Sequence, residues 1–504
     1  MPEYARALVF VYLAAIPALF LARRYSAPFV PRQEFTMWAG CWLATVAVVF
    51  ITHNFVLFAV FLGLLSIYCH RQPFNPIYLY IVLMFCAPAI DVLAGLGANG
   101  GTLIYLNPSR LLAIFFLAPL AMRVFRETRS LTLVDKFVLL YTLIVIVLTV
   151  RLGKSTDVMR MMLTSFLDIL LPYFVFSRTL TSPTDLKKVM AAFVVAVLPI
   201  AAISLIEAVK MWRLYQAVEA GWGVSMTSPY MFRSGVMRAV VSTAQPISLG
   251  FTCMTAIGCL LATRKPSFSD KTSIFAVGLI SLSLFVTVSR GPWVGAVALV
   301  AVTLLMQRGV LTNLVRAGLA AVALLPILML SPIGEKIVAV LPFIGKDTNT
   351  EDYRVKLFEA SMIVIGRNPL FGDPNFLTTP EMHAMIQGEG IVDIVNTYLG
   401  TALTYGLVTM AVFCAIFVIL ITGLIKLSFS AQGPQWHASA ILGTVVAIAI
   451  TLVTVSSVNV IPYIYWMFIG LSVGILRCAS LQQHPLSPES LPEPVKRMKV
   501  LGQW

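Results

Sequence analysis

Long apolar runs separated by short polar segments make up most of this chain. The apolar runs are continuous over about 17–25 residues rather than alternating, which predicts membrane-spanning helices instead of the strands of a barrel. Helices satisfy their own backbone polar groups, as lipid requires. The sequence therefore predicts an all-α integral membrane protein, a helical bundle of about 12–15 spans. The candidate spans lie near 7–22, 36–53, 55–69, 76–94, 111–122, 134–150, 158–177, 189–209, 244–263, 272–289, 292–307, 316–332, 397–425, 437–456 and 461–477.

One polar segment, residues 333–396, is much longer than the turns around it and lies between two late spans. An insertion of this size favours chemistry at the membrane surface. The tail is polar and rich in proline, so we expect it to be disordered. The predicted organisation is N-terminal spans in 1–209, central spans with an arginine-bearing loop in 210–332, the large loop 333–396, C-terminal spans in 397–478 and a cytoplasmic tail in 479–504.

Composition supports the membrane assignment. The 504 residues are 59% hydrophobic and 12% charged, whereas soluble domains carry about a quarter charged residues. The seven cysteines lie in or beside apolar spans without a CxxC pair, so we interpret them as packing residues. The sequence contains no P-loop, Rossmann fingerprint or HExxH motif in a credible context, which argues against an ATP-driven pump or a zinc protease.

The net charge of +14 acts here as an orientation signal rather than as a sign of nucleic-acid binding. Clusters of Arg and Lys fall in alternate loops, which predicts that those loops are cytoplasmic. The protein is then a multi-pass membrane protein whose two large insertions face outward. The loops predicted to face outward are 95–110, 151–157, 210–243, the Ser289–Pro292 junction, 333–396 and 457–460.

Several arginines belong to this outward set. Arg233 and Arg238 precede a span, Arg290 lies between two spans, and Arg354 begins an amphipathic run. A guanidinium is always charged and presents a planar fork that suits phosphate oxygens. The alternative is that each arginine anchors a helix end at the headgroups. We favour a binding role for Arg290, because no exposed loop surrounds it.

The order of these motifs resembles the O-antigen ligase and O-antigen polymerase superfamily over about residues 233–407. The similarity comprises Ser289-Arg290-Gly291 at a tight turn, the large outward loop, the run from Arg354 to Leu370-Phe371-Gly372, Asn396-x-Tyr398-Leu399 and Tyr405-Gly406-Leu407.

This resemblance implies a GT-C-like, metal-independent glycosyltransferase without a cofactor, which uses an undecaprenyl-diphosphate-linked oligosaccharide. It also implies a multi-pass protein of the bacterial inner membrane, with the outward insertions and the active site facing the periplasm. The acceptor would be a growing polysaccharide or a lipid, and a chain-length regulator and a flippase are candidate partners. Arg238, Arg290 and Arg354 match positions where the family has basic residues that hold the donor diphosphate. Arg233, Asn396 and Tyr398 complete the candidate substrate-binding set.

The chain departs from the family at the proposed catalytic base. The family commonly places His before the Asn of His-Asn-x-x-Leu, where this chain has Val395. Transfer with inversion needs a group that accepts the acceptor's proton, and Asp393, Glu389 and His383 are the candidates nearby. On a continuing helix Asp393 would share a face with Asn396.

Each candidate also has a non-catalytic interpretation. Asp393 would be a favourable charge at a helix N-terminus, Glu389 an ordinary loop carboxylate and His383 an ordinary surface side chain. The missing His favours a polysaccharide polymerase, with an O-antigen ligase as the alternative and a transporter of lipid-linked glycans or a scaffold as further ones.

Two charges within or beside spans have structural interpretations. Asp168 lies inside a span, where an acid is costly, and we expect it to pair with Arg160. Arg110 is interpreted as an anchor at a helix start, with contact to the lipid diphosphate as the alternative.

The orientation predicted from charge can be tested directly. A periplasm-active reporter fused near Asn349 should be active, and one fused after Lys499 should be silent, because basic loops stay in the cytoplasm. The opposite pattern would contradict both the orientation and a periplasmic reaction.

Overall fold

A computed structural model describes most of the chain. The predicted span 316–332, Glu389 and the end of the tail lie outside the described residues. The described residues are 2–94, 104–127, 130–180, 182–224, 231–233, 236–263, 270–307, 349–387, 390–429 and 435–483.

The described part of the chain is a bundle of helices with two short hairpins. The hairpins pair Val92–Ala94 (β1) with Ile104–Leu106 (β2), and Phe232–Arg233 (β3) with Val236–Met237 (β4), both antiparallel. The helices are α1 Glu3–Ser26, α2 Arg32–Thr52, α3 Phe55–His70, α4 Ile77–Leu83, α5 Pro108–Arg126, α6 Leu133–Thr149, α7 Ser155–Thr179, α8 Pro183–Lys210, α9 Gln216–Gly221, α10 Pro246–Thr263, α11 Lys271–Val286, α12 Arg290–Leu305, α13 Asn349–Arg367, α14 Pro380–His383, α15 Thr397–Ser428, α16 Gln435–Leu452 and α17 Ile461–Gln483.

The prediction of a multi-span helical membrane protein is confirmed at this level. Within the described ranges, nine helices are long and apolar enough to cross a membrane, and four shorter apolar helices accompany them. Large exposed apolar side chains such as Phe20, Leu64 and Val297 lie on the outside of the bundle, where lipid would cover them.

The predicted span 76–94 is wrong as a continuous helix. Helix α4 ends at Leu83, and the chain then continues in a buried, irregular segment to β1. Pro88 supplies no backbone N–H, which disfavours a helix through this segment. The irregular backbone is satisfied from elsewhere, because Ala89 N donates to Ser242 O over 2.8 Å and Ser242 Oγ donates to Phe85 O over 2.6 Å.

The predicted span 437–456 also ends early. Helix α16 stops at Leu452, and residues 453–456 form a turn followed by bends at the end of the bundle. The polar sequence Thr454-Val455-Ser456 marks this change, because Ser and Thr offer backbone groups local alternatives to helical hydrogen bonds.

Small residues bring α12 and α16 close together. A Cβ at Gly295 would clash with Thr451 Oγ1, and a Cβ at Gly443 would lie 2.6 Å from Leu299 O. Such close backbone approach is typical of helices that pack inside membranes. It fixes the start of α12, and therefore Arg290, beside the end of α16.

The predicted pair of Asp168 with Arg160 is wrong. Asp168 binds Arg110, whose Nη2 lies 2.7 Å from Asp168 Oδ2, and Tyr463 OH donates to Asp168 Oδ1 over 2.9 Å. Arg160 instead pairs with Asp157 at 2.8 Å. Asp168 lies in the π-helical segment Phe166–Leu170 of α7, and a π turn changes the face that its residues occupy.

Side-chain contacts at each end of the bundle join segments that were predicted to lie on the same side of the membrane. At one end of the bundle Arg151 Nη1 donates to Gly372 O over 2.8 Å. At the other end Lys188 pairs with Glu34 at 2.6 Å, and Trp436 Nε1 donates to Leu261 O over 2.7 Å. Which end faces the periplasm stays a prediction from charge.

Candidate functional site

Arg238 and Arg290 lie next to each other at one end of the bundle. Arg238 directly follows β4, and its Nε donates to Thr287 O over 3.0 Å while Nη2 donates to Ser289 Oγ over 2.8 Å. Arg290 is the first residue of α12 and follows Ser289. The side chain of Arg238 is therefore oriented by the turn that carries Arg290.

Arg354 reaches the same place from the large loop. Its Nη2 lies 3.5 Å from Thr454 O, at the end of α16. On the other side of Thr454 is Gly291, where an added Cβ would clash with Thr454 Oγ1. The neighbour of Arg290 and the side chain of Arg354 thus both contact Thr454. We call Arg238, Arg290 and Arg354 the arginine cluster.

The surroundings of Arg238 disfavour its positive charge. Burial, together with the charge of Arg233 in β3, lowers the pKa of Arg238 to about 10. Arg238 is still protonated at neutral pH, but its charged form is less stable here than in water. An anion bound between these side chains would remove that penalty, so the electrostatics favour an anionic ligand.

Asp393 lies beside the cluster but not on a helix, which corrects the prediction that it shares a helical face with Asn396. Helix α15 starts only at Thr397, because the Asn396 side chain caps it by accepting a hydrogen bond from Leu399 N over 3.1 Å. Asp393 therefore precedes the helix in irregular chain.

Two side chains fix Asp393 in this irregular segment. Its backbone N donates to Tyr353 OH over 3.2 Å, and Tyr353 is the residue before Arg354. Ser456 Oγ lies 3.4 Å from Asp393 Oδ1 and donates to Ile394 O over 2.9 Å. Burial raises the pKa of Tyr353, which keeps its hydroxyl protonated.

The segment Thr454–Ser456, which we call the hub segment, connects these parts. Thr454 contacts Arg354 and adjoins Gly291, Val455 O accepts a 2.7 Å hydrogen bond from Thr397 Oγ1, and Ser456 contacts Asp393. The hub segment was predicted to be the end of a span, and no functional role was predicted for it. The polar run that follows the apolar helix was the sequence feature that marks it.

The remaining candidate residues have other surroundings. Tyr398 OH donates to Ala449 O over 3.0 Å, so this side chain joins α15 to α16. Asn396 serves as the helix cap. His383 ends α14 with an exposed side chain. Arg233 is half-buried and near enough to Arg238 to affect its pKa.

The motifs Leu370-Phe371-Gly372 and Tyr405-Gly406-Leu407 lie against each other. Asp373 N donates to Leu403 O over 2.8 Å, and Leu407 N donates to Pro369 O over 2.8 Å. Gly406 has a φ of 83°, and a Cβ there would clash with Leu370 O, so only glycine fits without strain. The contact attaches the large loop to the break in α15, and Arg151 binds the carbonyls of that loop.

Glu207 supports the loop of Arg238 and was missed by the sequence analysis. Its buried carboxylate accepts hydrogen bonds from Leu214 N, Val240 N and Val241 N at 2.8, 3.1 and 2.8 Å. These three residues lie on both sides of the segment that follows α8. The sequence did contain a signal for this role. Glu207 is an acid near the end of an apolar run, and such an acid is rare unless it has partners.

We expect Glu207→Gln to loosen this segment. The amide would turn an NH₂ group toward backbone N–H donors, and losing charge-assisted hydrogen bonds costs about 2–4 kcal/mol. Limited proteolysis between residues 210 and 243 should become faster. Glu381→Gln, which affects a more exposed pair with Arg367, is the matched control and should leave proteolysis unchanged. An unchanged digestion rate in Glu207→Gln would contradict the role of Glu207.

Comparison with known proteins adds no relative. No protein-family model matches the chain, and a search of curated proteins finds no match. The resemblance to the O-antigen ligase and polymerase superfamily therefore stays a prediction from the motifs, and the functional argument depends on the geometry of the site.

Proposed function

We propose that this protein is an inverting glycosyltransferase of the bacterial inner membrane. In this proposal it polymerises polysaccharide repeat units from undecaprenyl-diphosphate-linked donors at the periplasmic face. The observation that carries the proposal is the set of contacts around the hub segment. Arg354 and Gly291, the residue after Arg290, contact Thr454, while Asp393 lies beside Ser456. Arg238 is held at Ser289, the residue before Arg290.

The chemistry of such a transfer fits these groups. The acceptor hydroxyl attacks the anomeric carbon, the bond from that carbon to the diphosphate breaks, and Asp393 takes the hydroxyl proton. The leaving diphosphate gains negative charge, which guanidinium groups stabilise through paired hydrogen bonds. Tyr353 holds Asp393 through its backbone, and Ser456 Oγ lies 3.4 Å from Asp393 Oδ1.

The position of the site also suits a lipid-linked donor. Helix α13 carries Arg354 and exposes Val355, Phe358 and Met362, which are 59%, 53% and 50% exposed. Apolar side chains beside cationic ones are typical of a helix at the membrane interface. A polyprenyl chain in the bilayer would bring its diphosphate to this level.

Charges inside the described spans support an enzyme over a transporter. Asp168 pairs with Arg110, and the buried Asp135 pairs with Arg178 at 2.6 Å. These pairs are fixed inside the bundle and neutralise each other, whereas a carrier needs ionisable groups that face a path. A ligase would use the same donor geometry, so the acceptor has to be tested by assay.

We expect Arg238→Ala, Arg290→Ala and Arg354→Ala each to abolish glycan transfer while membrane expression is retained. Arg290→Lys should rescue poorly, because an ammonium does not replace a bidentate fork. Arg367→Ala is the matched control, since Arg367 lies in the same loop region and pairs with Glu381. Normal polymer in all three cluster variants would contradict the arginine assignment.

We expect Asp393→Asn to lower the rate of transfer by about 10²–10⁴-fold, the usual contribution of general-base catalysis. The measurement is chain formation from purified lipid-linked repeat unit, with EDTA present and with lipid A core as a second acceptor. Glu389→Gln and His383→Ala are made in parallel. Near-normal activity in Asp393→Asn would eliminate this residue, and a loss only in His383→Ala would assign the base to His383. Transfer to lipid A core alone would identify a ligase.

A further inference from the structure

A groove of about 690 Å³ lies on the outer surface of the bundle between α3 and α5. Its walls are apolar, and Val60, Leu64 and Ile67 on the α3 side are 54%, 64% and 56% exposed. Arg71 and Arg123 lie among the residues that line it. The groove therefore combines a hydrocarbon surface with two cations, at the end of α3.

The shape of the groove is built into the backbone. Helix α5 contains the π-helical segment Ala113–Leu117, and Ser66 Oγ donates to Phe115 O over 2.6 Å. The ring of Phe115 lies 3.5 Å from the position of a Cβ on Gly63. A glycine on α3 and a wide turn on α5 thus form the groove where ordinary side chains would fill the space.

The length of the groove matches one leaflet. Val60 and Arg71 are 11 residues apart along α3, which corresponds to roughly 16 Å at the rise of an α-helix. Half of a typical hydrocarbon core is about 15 Å. A lipid whose chain lies beside Val60 and Leu64 would consequently have its headgroup at the level of Arg71 and Arg123.

The charged end of the groove is suited to an anion. The side chains of Arg71 and Arg123 are exposed, and neither forms an ion pair with another residue of the described ranges. Basic pockets between helices at the membrane surface are typical sites for anionic lipid headgroups. A zwitterionic headgroup would bring its own cation to the same place.

We propose that this groove binds an anionic phospholipid from the leaflet opposite the arginine cluster. Its phosphate lies between Arg71 and Arg123, and one acyl chain lies along α3 and α5. The groove is separate from the candidate active site, so this inference does not depend on the proposed reaction.

Native mass spectrometry of the full chain with added phosphatidylglycerol tests the proposal. The double variant Arg71→Ala/Arg123→Ala should weaken phosphatidylglycerol binding by about 30-fold, roughly fivefold per arginine. Binding of phosphatidylcholine should be weaker and unchanged by the substitutions. Leu64→Trp, at an exposed position in the groove wall, should also weaken binding while both arginines are retained.

Arg24→Ala is the matched control. Arg24 is exposed at the end of α1, which is the same membrane face because α1 and α3 run in the same direction around the antiparallel α2. An equal loss of binding in Arg24→Ala would mean that general surface charge attracts the lipid, and would overturn the site. Unchanged binding in the double variant, equal affinity for phosphatidylcholine, or binding of polyprenyl phosphate in place of phosphatidylglycerol would overturn it as well.

Discussion

Backbone that leaves helical geometry inside a membrane protein must find hydrogen bonds within the protein, and the candidate site depends on this requirement. Glu207 supplies acceptors for the loop that carries Arg238. Arg151 supplies donors for the carbonyls of Phe371 and Gly372, where the large loop meets the break in α15. A charged side chain holds each of these two irregular segments, the buried Glu207 in one and the exposed Arg151 in the other. These contacts fix the backbone of the segments that surround the candidate site.

The hub segment shows how these irregular parts become one site. Helix α16 ends four residues earlier than its apolar run, and the freed chain offers Thr454 O and Val455 O as acceptors and Ser456 Oγ as a donor. Close packing of α12 on α16 places the start of α12 on one side of this segment. The large loop and the cap of α15 occupy the other side. Arg290, Arg354 and Asp393 are far apart in sequence, and the short polar segment lies between them.

Hydropathy predicted the described spans well because burial in lipid acts on every residue of a helix. It failed where single long-range contacts decide the structure. The irregular segment after Leu83 is satisfied inside the bundle by hydrogen bonds with Ser242, and the local hydropathy pattern contains no information about Ser242. Asp168 pairs with Arg110, which is 58 residues away, rather than with Arg160 on its own helix. The arginines could be selected from motif order and sidedness, whereas the placement of Asp393 failed because Asn396 starts the helix.

The contacts of the arginines separate two roles that the sequence left open. Arg178 directs both Nη groups to the carboxylate of Asp135, at 2.6 Å each, so its charge is neutralised inside the protein. Two of the groups that orient Arg238 are neutral acceptors, the carbonyl of Thr287 and the hydroxyl of Ser289. Burial and the nearby charge of Arg233 lower the pKa of Arg238. A half-buried arginine beside a second cation would be stabilised by an anionic ligand, which is the role that the proposed function gives to Arg238.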